Sequence, residues 1–120
     1  MATQDKCCSI VPYFEVQPDK LDAFKALCEQ FVAKTRSEPK CLYYGFSFSG
    51  LKAHCREAYS DADGLLQHLE NVREPLQEAL KIAKLERLEI HGPAGELARL
   101  RGPLAELNAQ FFTLEYGFRR

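Results

Sequence analysis

A strict alternation of side-chain type between Cys41 and Ser49 constrains the fold of this chain more than any other feature. Residues two apart in a strand share a face, so this segment is predicted to be a strand with one mostly aromatic face. That face carries Leu42, Tyr44, Phe46 and Phe48. A turn at residues 49–52 and an antiparallel strand over residues 54–59 should follow. The second strand carries Cys55, Glu57 and Tyr59 on one face.

Amphipathic helices are predicted on both sides of this hairpin. The first has an apolar stripe at three- and four-residue spacing and ends before Pro39, at about residues 35–38. Its stripe consists of Leu21, Phe24, Leu27, Cys28, Phe31 and Val32. The second is predicted to start at Asp61, where Ser60 and Asp63 are similar to a capping box. Its stripe consists of Leu65, Leu69, Val72, Leu76, Ala79 and Ala83. Pro75 interrupts that stripe, so we expect a kink or break near residues 73–74.

Two further strands, over residues 7–16 and 85–91, complete a βαββαβ order. This order predicts an α+β fold of the ferredoxin-like type, with an antiparallel sheet and both helices on one face. A short helix and a last strand over residues 111–118 should follow. The helix carries Leu97, Leu100 and Leu104. Because no linker separates these parts, we expect one domain over residues 1–120, with a core at about 7–91 and an extension at about 92–120.

Composition excludes several classes of function. With 16 basic and 17 acidic residues, the formal charge is −1, which argues against nucleic acid as a partner. No segment approaches the roughly 20 apolar residues that cross a bilayer, so no membrane partner and a cytoplasmic location are expected. The 5 cysteines show no Cys-x-x-Cys spacing and are interpreted as buried apolar residues. No His, Cys, Asp or Glu cluster has metal-ligand spacing, so no metal is expected.

Three local motifs lie between residues 37 and 69. They are the turn Glu38-Pro39-Lys40-Cys41, the strand end Glu57-Ala58-Tyr59-Ser60-Asp61, and His68 one helical turn after Leu65. In these motifs the chain resembles the antibiotic-biosynthesis-monooxygenase-like family of the dimeric α/β barrel superfamily. The resemblance covers roughly residues 7–80. It implies a homodimer whose two sheets cover each other's bare faces, with residues 111–116 reaching over the partner's edge. The alternative is a monomer whose bare face is covered by its own C-terminal unit.

The family pattern is not matched at every position. Lys40 replaces the usual Gly of the turn, and Tyr59 stands where many members have Trp. The chain has no Trp, so haem degradation is disfavoured. The resemblance therefore predicts the fold better than the substrate.

The resemblance also implies a chemistry: oxygenation of an aromatic or quinol-like small molecule without a cofactor. Such a reaction needs an apolar cavity, a base and donors aimed at the developing negative charge. The predicted catalytic residues are His68, Tyr59 and Glu57. The predicted substrate-binding residues are Tyr44, Phe46 and Leu65.

Each of these residues also has a structural interpretation. His68 could bind a backbone carbonyl, and Glu57 could pair with Arg56, Arg87 or a backbone donor. The aromatic residues could be core residues, as a half-buried strand favours them. His54 and His91, at predicted strand ends, are expected to be solvated. A non-catalytic, ligand-binding or stress-associated dimer is therefore the alternative function.

Overall fold

The computed structural model describes residues 3–120 of the chain. Its elements, in chain order, are β1 (Cys8–Val16), α1 (Leu21–Thr35), β2 (Cys41–Ser49), β3 (Lys52–Tyr59), α2 (Ala62–Asn71), α3 (Arg73–Ile82), β4 (Ala83–Gly92), α4 (Ala94–Arg101), a 3₁₀ turn (Ala105–Leu107) and β5 (Gln110–Thr113). The bounds of β2 agree with the predicted strand.

The strands form a single sheet in the order β2-β3-β1-β4-β5. The first four are antiparallel, in the ferredoxin-like arrangement, so the predicted fold class is confirmed. β5 adds to the edge parallel to β4, and α4 makes the crossover between them. The predicted strand over residues 111–118 is too long, because β5 ends at Thr113. β5 pairs with β4 of the same chain. The reach of residues 111–116 over a partner remains a prediction.

One predicted side-chain direction is wrong. The alternation predicts Leu42 on the same face of β2 as Tyr44, but Leu42 is exposed, and Cys41 packs against the core instead. The register of β2 against β3 shifts between Cys41 and Tyr43. Such a bulge places an extra residue in one strand, and this reverses the alternation on one side of it.

The second helical segment is divided, as the position of Pro75 predicted. α2 ends at Asn71 and α3 begins at Arg73, with Val72 between them in a non-helical conformation. Pro75 lies in the first turn of α3, where a residue without an N–H is tolerated because that group would have no partner in the helix. The break lets α2 and α3 follow different directions over the sheet.

The cap of α2 differs from the predicted one. Asp61, not Ser60, is the N-cap residue, and its Oδ1 accepts a hydrogen bond from the N–H of Gly64 at 2.9 Å. Gly64 is needed here for close approach. A Cβ atom at this position would lie 2.7 Å from Cβ of Lys40 and 3.3 Å from Cβ of Tyr59. The first turn of α2 is therefore pressed directly against the start of β2 and the end of β3.

The helices cover one face of the sheet, and the core between them has two parts. We call the part under α2 and α4 the closed half, which contains Cys8, Ile10, Tyr59, Ala62, Leu65, Leu88, Ile90, Leu97, Leu100 and Leu104. We call the part under α1 and α3 the open half, which contains Phe14, Val16, Phe24, Cys28, Phe31, Ala53, Val72, Ala79 and Ala83. Half-buried aromatic side chains of β2 extend the open half.

Candidate active site

Glu57 is a buried carboxyl in the middle of the sheet. It lies on β3 and faces the helices, with 4% of its surface exposed. Tyr59, two residues later on the same face, donates a hydrogen bond from its hydroxyl to Oε1 of Glu57 at 2.7 Å. Burial of a carboxyl without an opposite full charge disfavours its ionised form.

His68 brings an imidazole from α2 to this carboxyl. Its Nε2 lies 3.2 Å from Oε1 of Glu57, and the side chain is only 3% exposed. The ring packs between two tyrosines, with centroid distances of 5.1 Å to Tyr44 and 5.0 Å to Tyr59. The ring therefore points inward to the sheet.

The other ring nitrogen of His68 meets a second carboxyl, that of Glu38. Its Nδ1 lies 2.9 Å from Oε2 and 3.2 Å from Oε1 of Glu38. Glu38 belongs to the connection between α1 and β2, and 11% of its side chain is exposed. Asn71, on the last turn of α2, donates from Nδ2 to Oε2 of Glu38 at 2.7 Å and to the carbonyl of Lys34 at 3.0 Å.

Burial favours the neutral form of both Glu57 and His68. It raises the pKa of Glu57 to about 7, against the opposing hydrogen bonds from Tyr59 and Cys55. It also lowers the pKa of His68, although the hydrogen bond and the charge of Glu38 act in the other direction. Near neutral pH the pair therefore holds a proton that can be exchanged between a carboxyl and an imidazole.

An apolar cavity opens next to this pair, between the sheet and the helices. Its volume is about 80 Å³, measured as the space open to the centre of a water-sized sphere. Its walls are mostly aliphatic side chains of β1, β4, α2 and α3, and Leu107 closes one side. The polar groups among its lining residues are those of Tyr44, Cys55, Glu57 and His68. Burial raises the pKa of Tyr44, so its hydroxyl remains a donor.

The structure brings together five of the six residues that the sequence singled out. His68, Glu57, Tyr44 and Phe46 line the cavity, and Tyr59 holds the carboxyl of Glu57 from the side. Leu65 does not line the cavity. It is fully buried in the closed half, because it faces α4 and β4 from the first turns of α2. The catalytic and binding roles of the six residues remain predictions.

Sequence reasoning missed the contribution of Glu38, Asn71 and Cys55. Glu38 was part of a quoted motif, but a carboxyl in a turn is usually solvated, and its partner is 30 residues away. Asn71 lies three residues after His68 and therefore shares its helix face, which is a weak signal in the sequence. Cys55 was correctly placed on the face of Glu57.

Several alternative interpretations are also corrected. Glu57 is not paired with either arginine, since Arg56 lies over the ring of Tyr43 and Arg87 pairs with Glu89. Nor are the other two histidines simply solvated. His54 is half-buried, stacks on Tyr13 with centroids 4.5 Å apart, and lies with Nδ1 3.0 Å from the carbonyl of Pro12. His91 stacks on Phe112 with centroids 4.8 Å apart, and its Nε2 lies 3.1 Å from Oε1 of Glu89.

Residues 3–120 contain no group of three or more His, Cys, Asp or Glu side chains arranged to hold a metal ion. In the same range, every helix is too short or too polar to cross a bilayer.

The chain matches no protein-family model and no curated protein sequence. Among solved structures it is similar to MupZ from Pseudomonas fluorescens, with 52% identity and a TM-score of 0.94 over 100% of this chain and 94% of MupZ. It also resembles a candidate antibiotic biosynthesis monooxygenase from Nitrosomonas europaea, with 19% identity and a TM-score of 0.68 over 78% of this chain and 96% of the other. A similar candidate monooxygenase from Caulobacter crescentus has 22% identity and a TM-score of 0.66, over 72% and 88%.

The fold and these likenesses define a small α+β protein with the fold of the antibiotic-biosynthesis-monooxygenase-like proteins, which is the fold that the sequence motifs predicted. The candidate monooxygenases are too distant in sequence to show more than the fold. MupZ is much closer, and the chain belongs to the same family as MupZ.

Proposed function

We propose that this protein is an enzyme that moves a proton to or from an oxygen of a small, uncharged, mostly apolar molecule. One observation carries the proposal: the carboxyl of Glu57 lies at an apolar cavity, against the imidazole of His68. A group whose pKa is close to the working pH is an effective general acid or base. The raised pKa of Glu57, about 7, meets that requirement.

The cavity walls support an uncharged ligand. Within residues 3–120, no lysine or arginine lines the cavity. An anionic group would therefore lie beside Glu57 without a cation to balance it, which is costly in apolar surroundings. The aliphatic walls fit a hydrocarbon portion of the ligand, and the polar residues fit one hydroxyl or carbonyl.

For the reaction, we propose a cofactor-independent oxygenation of a phenol or quinol, the chemistry suggested by the fold relatives' names. Glu57 or His68 would remove the hydroxyl proton, which leaves an electron-rich phenolate. Molecular oxygen would then oxidise the substrate to a quinone. One oxygen atom would form a bond to a ring carbon, and the other would leave as water with the two hydrogens that the substrate loses. The hydroxyl of Tyr44 is a donor near the developing negative charge.

A second candidate is a proton-transfer reaction that does not consume oxygen. It is favoured by the proton that Glu57 retains up to about pH 7, since a protonated carboxyl can donate to a substrate oxygen. Glu57 and His68 would again act, but proton donation to the substrate would come before proton removal. The non-catalytic, ligand-binding alternative also uses the cavity and makes no use of that proton.

One experiment separates these functions. Quinols, polyphenols and neutral aliphatic alcohols and ketones are first tested for binding by thermal shift. Molecules that bind are then assayed for oxygen consumption and for products by mass spectrometry. Oxygen uptake with product supports oxygenation, product without uptake supports the second candidate, and binding alone supports the non-catalytic alternative.

Two variants and a control test the assignment of residues. Glu57→Gln and His68→Gln should each reduce turnover by at least about tenfold, because general acid–base catalysis contributes about 10²-fold or more. Glu96→Gln is the matched control, since Glu96 also holds α2, through its contact with the N–H of Ala62 at 2.9 Å, but lies outside the site. Full turnover in both site variants would refute the proposal.

We also propose that the protein is a homodimer that associates through the face of the sheet opposite the helices. That face carries the exposed rings of Tyr13 and Tyr43, together with half-buried Val11 and Phe112. A mixed aromatic surface of this kind is typical of interfaces. Light scattering should give twice the mass of the chain, and a stable monomer at micromolar concentration would contradict the proposal. The cytoplasmic location remains a prediction.

A further inference from the structure

We propose that Glu38 is a positioning residue: it fixes the imidazole of His68 with a proton on Nδ1, so that the lone pair of Nε2 faces Glu57. This inference rests on the proposed function, because it assigns a role within the same site. It concerns a residue that neither touches the cavity nor was expected to act.

The chemistry of Glu38, His68 and Glu57 determines which ring nitrogen carries the hydrogen. A carboxylate can only accept hydrogen bonds, so the ring nitrogen facing Glu38 must carry a hydrogen. Both oxygens of Glu38 lie within 3.2 Å of Nδ1. In a neutral imidazole the other nitrogen, Nε2, is then an acceptor. At 3.2 Å from Oε1 of Glu57, its natural partner is the proton of the Glu57 carboxyl.

Glu38 is itself held in place by hydrogen bonds to its neighbours. Its N–H donates to the carbonyl of Thr35 at 2.9 Å, and its own carbonyl accepts from the N–H of Cys41 at 3.3 Å. Asn71 then fixes its side chain by a hydrogen bond of 2.7 Å to Oε2. Three neighbours therefore define where the carboxylate stands, so it can orient the ring instead of following it.

The carboxyls of Glu38 and Glu57 lie on opposite sides of the imidazole ring of His68. Without Glu38, the neutral ring could carry its hydrogen on Nε2 and donate it to Glu57. That tautomer would hold Glu57 as a carboxylate and would remove the proton needed for donation to a ligand. Glu38 selects the other tautomer, in which Glu57 keeps its proton and shares it with Nε2.

The experiment reads the tautomer directly, in the ligand-free protein. Nitrogen-15 NMR of the imidazole rings distinguishes a protonated ring nitrogen from one with a lone pair. The chain has 3 histidines, so His54→Gln and His91→Gln variants assign the signals of His68. In the wild type above the pKa of His68, we expect one tautomer with hydrogen on Nδ1. A predominant Nε2–H signal would overturn the inference.

Glu38→Gln should weaken the preference for the Nδ1–H tautomer, because a neutral amide oxygen accepts the hydrogen bond from Nδ1 less strongly than a carboxylate does. It should also lower the pKa of His68 further, since the hydrogen bond and charge of Glu38 now raise it. Glu96→Gln, the matched control, should change neither. A variant Glu38→Gln with the wild-type tautomer and His68 titration would show that Glu38 is only structural.

A second pair of variants covers the case in which Glu38→Gln does not fold. Asn71→Ala removes the hydrogen bond that fixes the carboxylate of Glu38. Glu38→Asp shortens the side chain, which moves the carboxylate away from the ring but keeps its charge. Both should show a partial loss of the Nδ1–H tautomer, and an unchanged tautomer in both would refute the inference. Because none of these measurements needs a substrate, they can succeed or fail independently of the proposed enzymatic activity.

Discussion

The two halves of the core are built from the same strands, but they are packed in different ways. In the closed half, aliphatic side chains of β1, β4, α2 and α4 fill the space around Tyr59, and most of them are fully buried. In the open half, phenylalanines from β1, α1 and β2 meet edge to face or tilted, for example Phe24 on Phe46 at 6.4 Å. Several of their neighbours are only half-buried. The cavity lies mainly among them, and Ile10 and Leu88 of the closed half line its other side.

This difference explains where the candidate site lies. α2 begins over the closed half, where Gly64 lets it pack tightly, and its last turns carry His68 towards the open half. The imidazole is therefore held by a rigid support on one side and faces empty space on the other. Precise placement of a side chain next to a cavity needs such a division, because a close-packed core has no space for a ligand.

The largest expected effect is the difference between a leucine of the closed half and a leucine at the cavity. Leu100→Ala removes a fully buried side chain from the closed half and should lower the free energy of unfolding by about 2–5 kcal/mol. Leu80→Ala removes a side chain that lines the cavity but is 46% exposed, and should change it by less than about 1 kcal/mol. Urea denaturation measures both. Equal losses would show that the halves are packed alike.

The second effect concerns Glu57 and pH. Its folded-state pKa, about 7, lies above its ordinary value of 4.5, so the folded state binds the proton more tightly. The stabilisation that this tighter proton binding gives the folded state is complete below pH 4.5 and is lost as pH rises through about 7. Glu57→Gln, which mimics the neutral acid, should therefore gain roughly 3 kcal/mol relative to the wild type across this range.

Urea denaturation below pH 4.5 and above pH 7 measures the stability that Glu57→Gln gains over the wild type. His68 contributes with the opposite sign, since its lowered pKa makes the folded protein less stable as pH falls below its ordinary value. Because His68 contacts Glu57, its titration changes with the substitution, so the pKa of His68 is measured by NMR in both proteins and its contribution is subtracted. If the difference does not change with pH, the carboxyl is ionised in the folded state.

The sequence predicted the features that depend on local pattern. The strand β2 and the helix break near Pro75 depend on patterns among neighbouring residues, and both predictions are confirmed. The register shift after Cys41 left no trace in composition, so Leu42 was assigned to the wrong face. β5 was predicted too long, because apolar residues such as Phe118 continue the strand pattern beyond the last pair with β4.

For the candidate site, the helical and strand periods placed His68 and Glu57 on faces that meet. They could not place Glu38, because its contact with His68 depends on how the α1–β2 connection packs on the last turn of α2. The pattern also could not separate Leu65 from the cavity. Leu65 is kept away from the cavity by α4, which packs around it. α4 lies in a part of the chain that the family resemblance does not cover.

The third effect tests the support of α2. Gly64→Ala would place its Cβ 2.7 Å from Cβ of Lys40, so the helix must shift, at a cost of about 1–3 kcal/mol. Gly95→Ala in α4 is the matched control, because no atom lies within 4 Å of the added Cβ. It should be neutral or stabilise by up to about 1 kcal/mol. Thermal or urea denaturation compares the two, and similar results would mean that α2 is not tightly seated.

The smallest effect separates two roles of Asp61 at the start of α2. Its carboxylate caps the helix through Gly64 and also pairs with Nζ of Lys40 at 2.9 Å, which lowers the pKa of Asp61. Asp61→Ala removes both interactions and should cost about 1 kcal/mol. Asp61→Asn keeps an oxygen for the cap and loses only the partly exposed ion pair, so it should cost about 0.5 kcal/mol or less.

The two losses should also respond differently to conditions. The advantage of the wild type over Asp61→Asn should shrink with salt, because the ion pair is screened. It should also disappear as pH falls through the lowered pKa of Asp61, since the protonated acid no longer attracts Lys40. The cost of Asp61→Ala should keep its capping part in salt. If Asp61→Asn proves as destabilising as Asp61→Ala, then the charge, not the cap, holds α2 over the closed half.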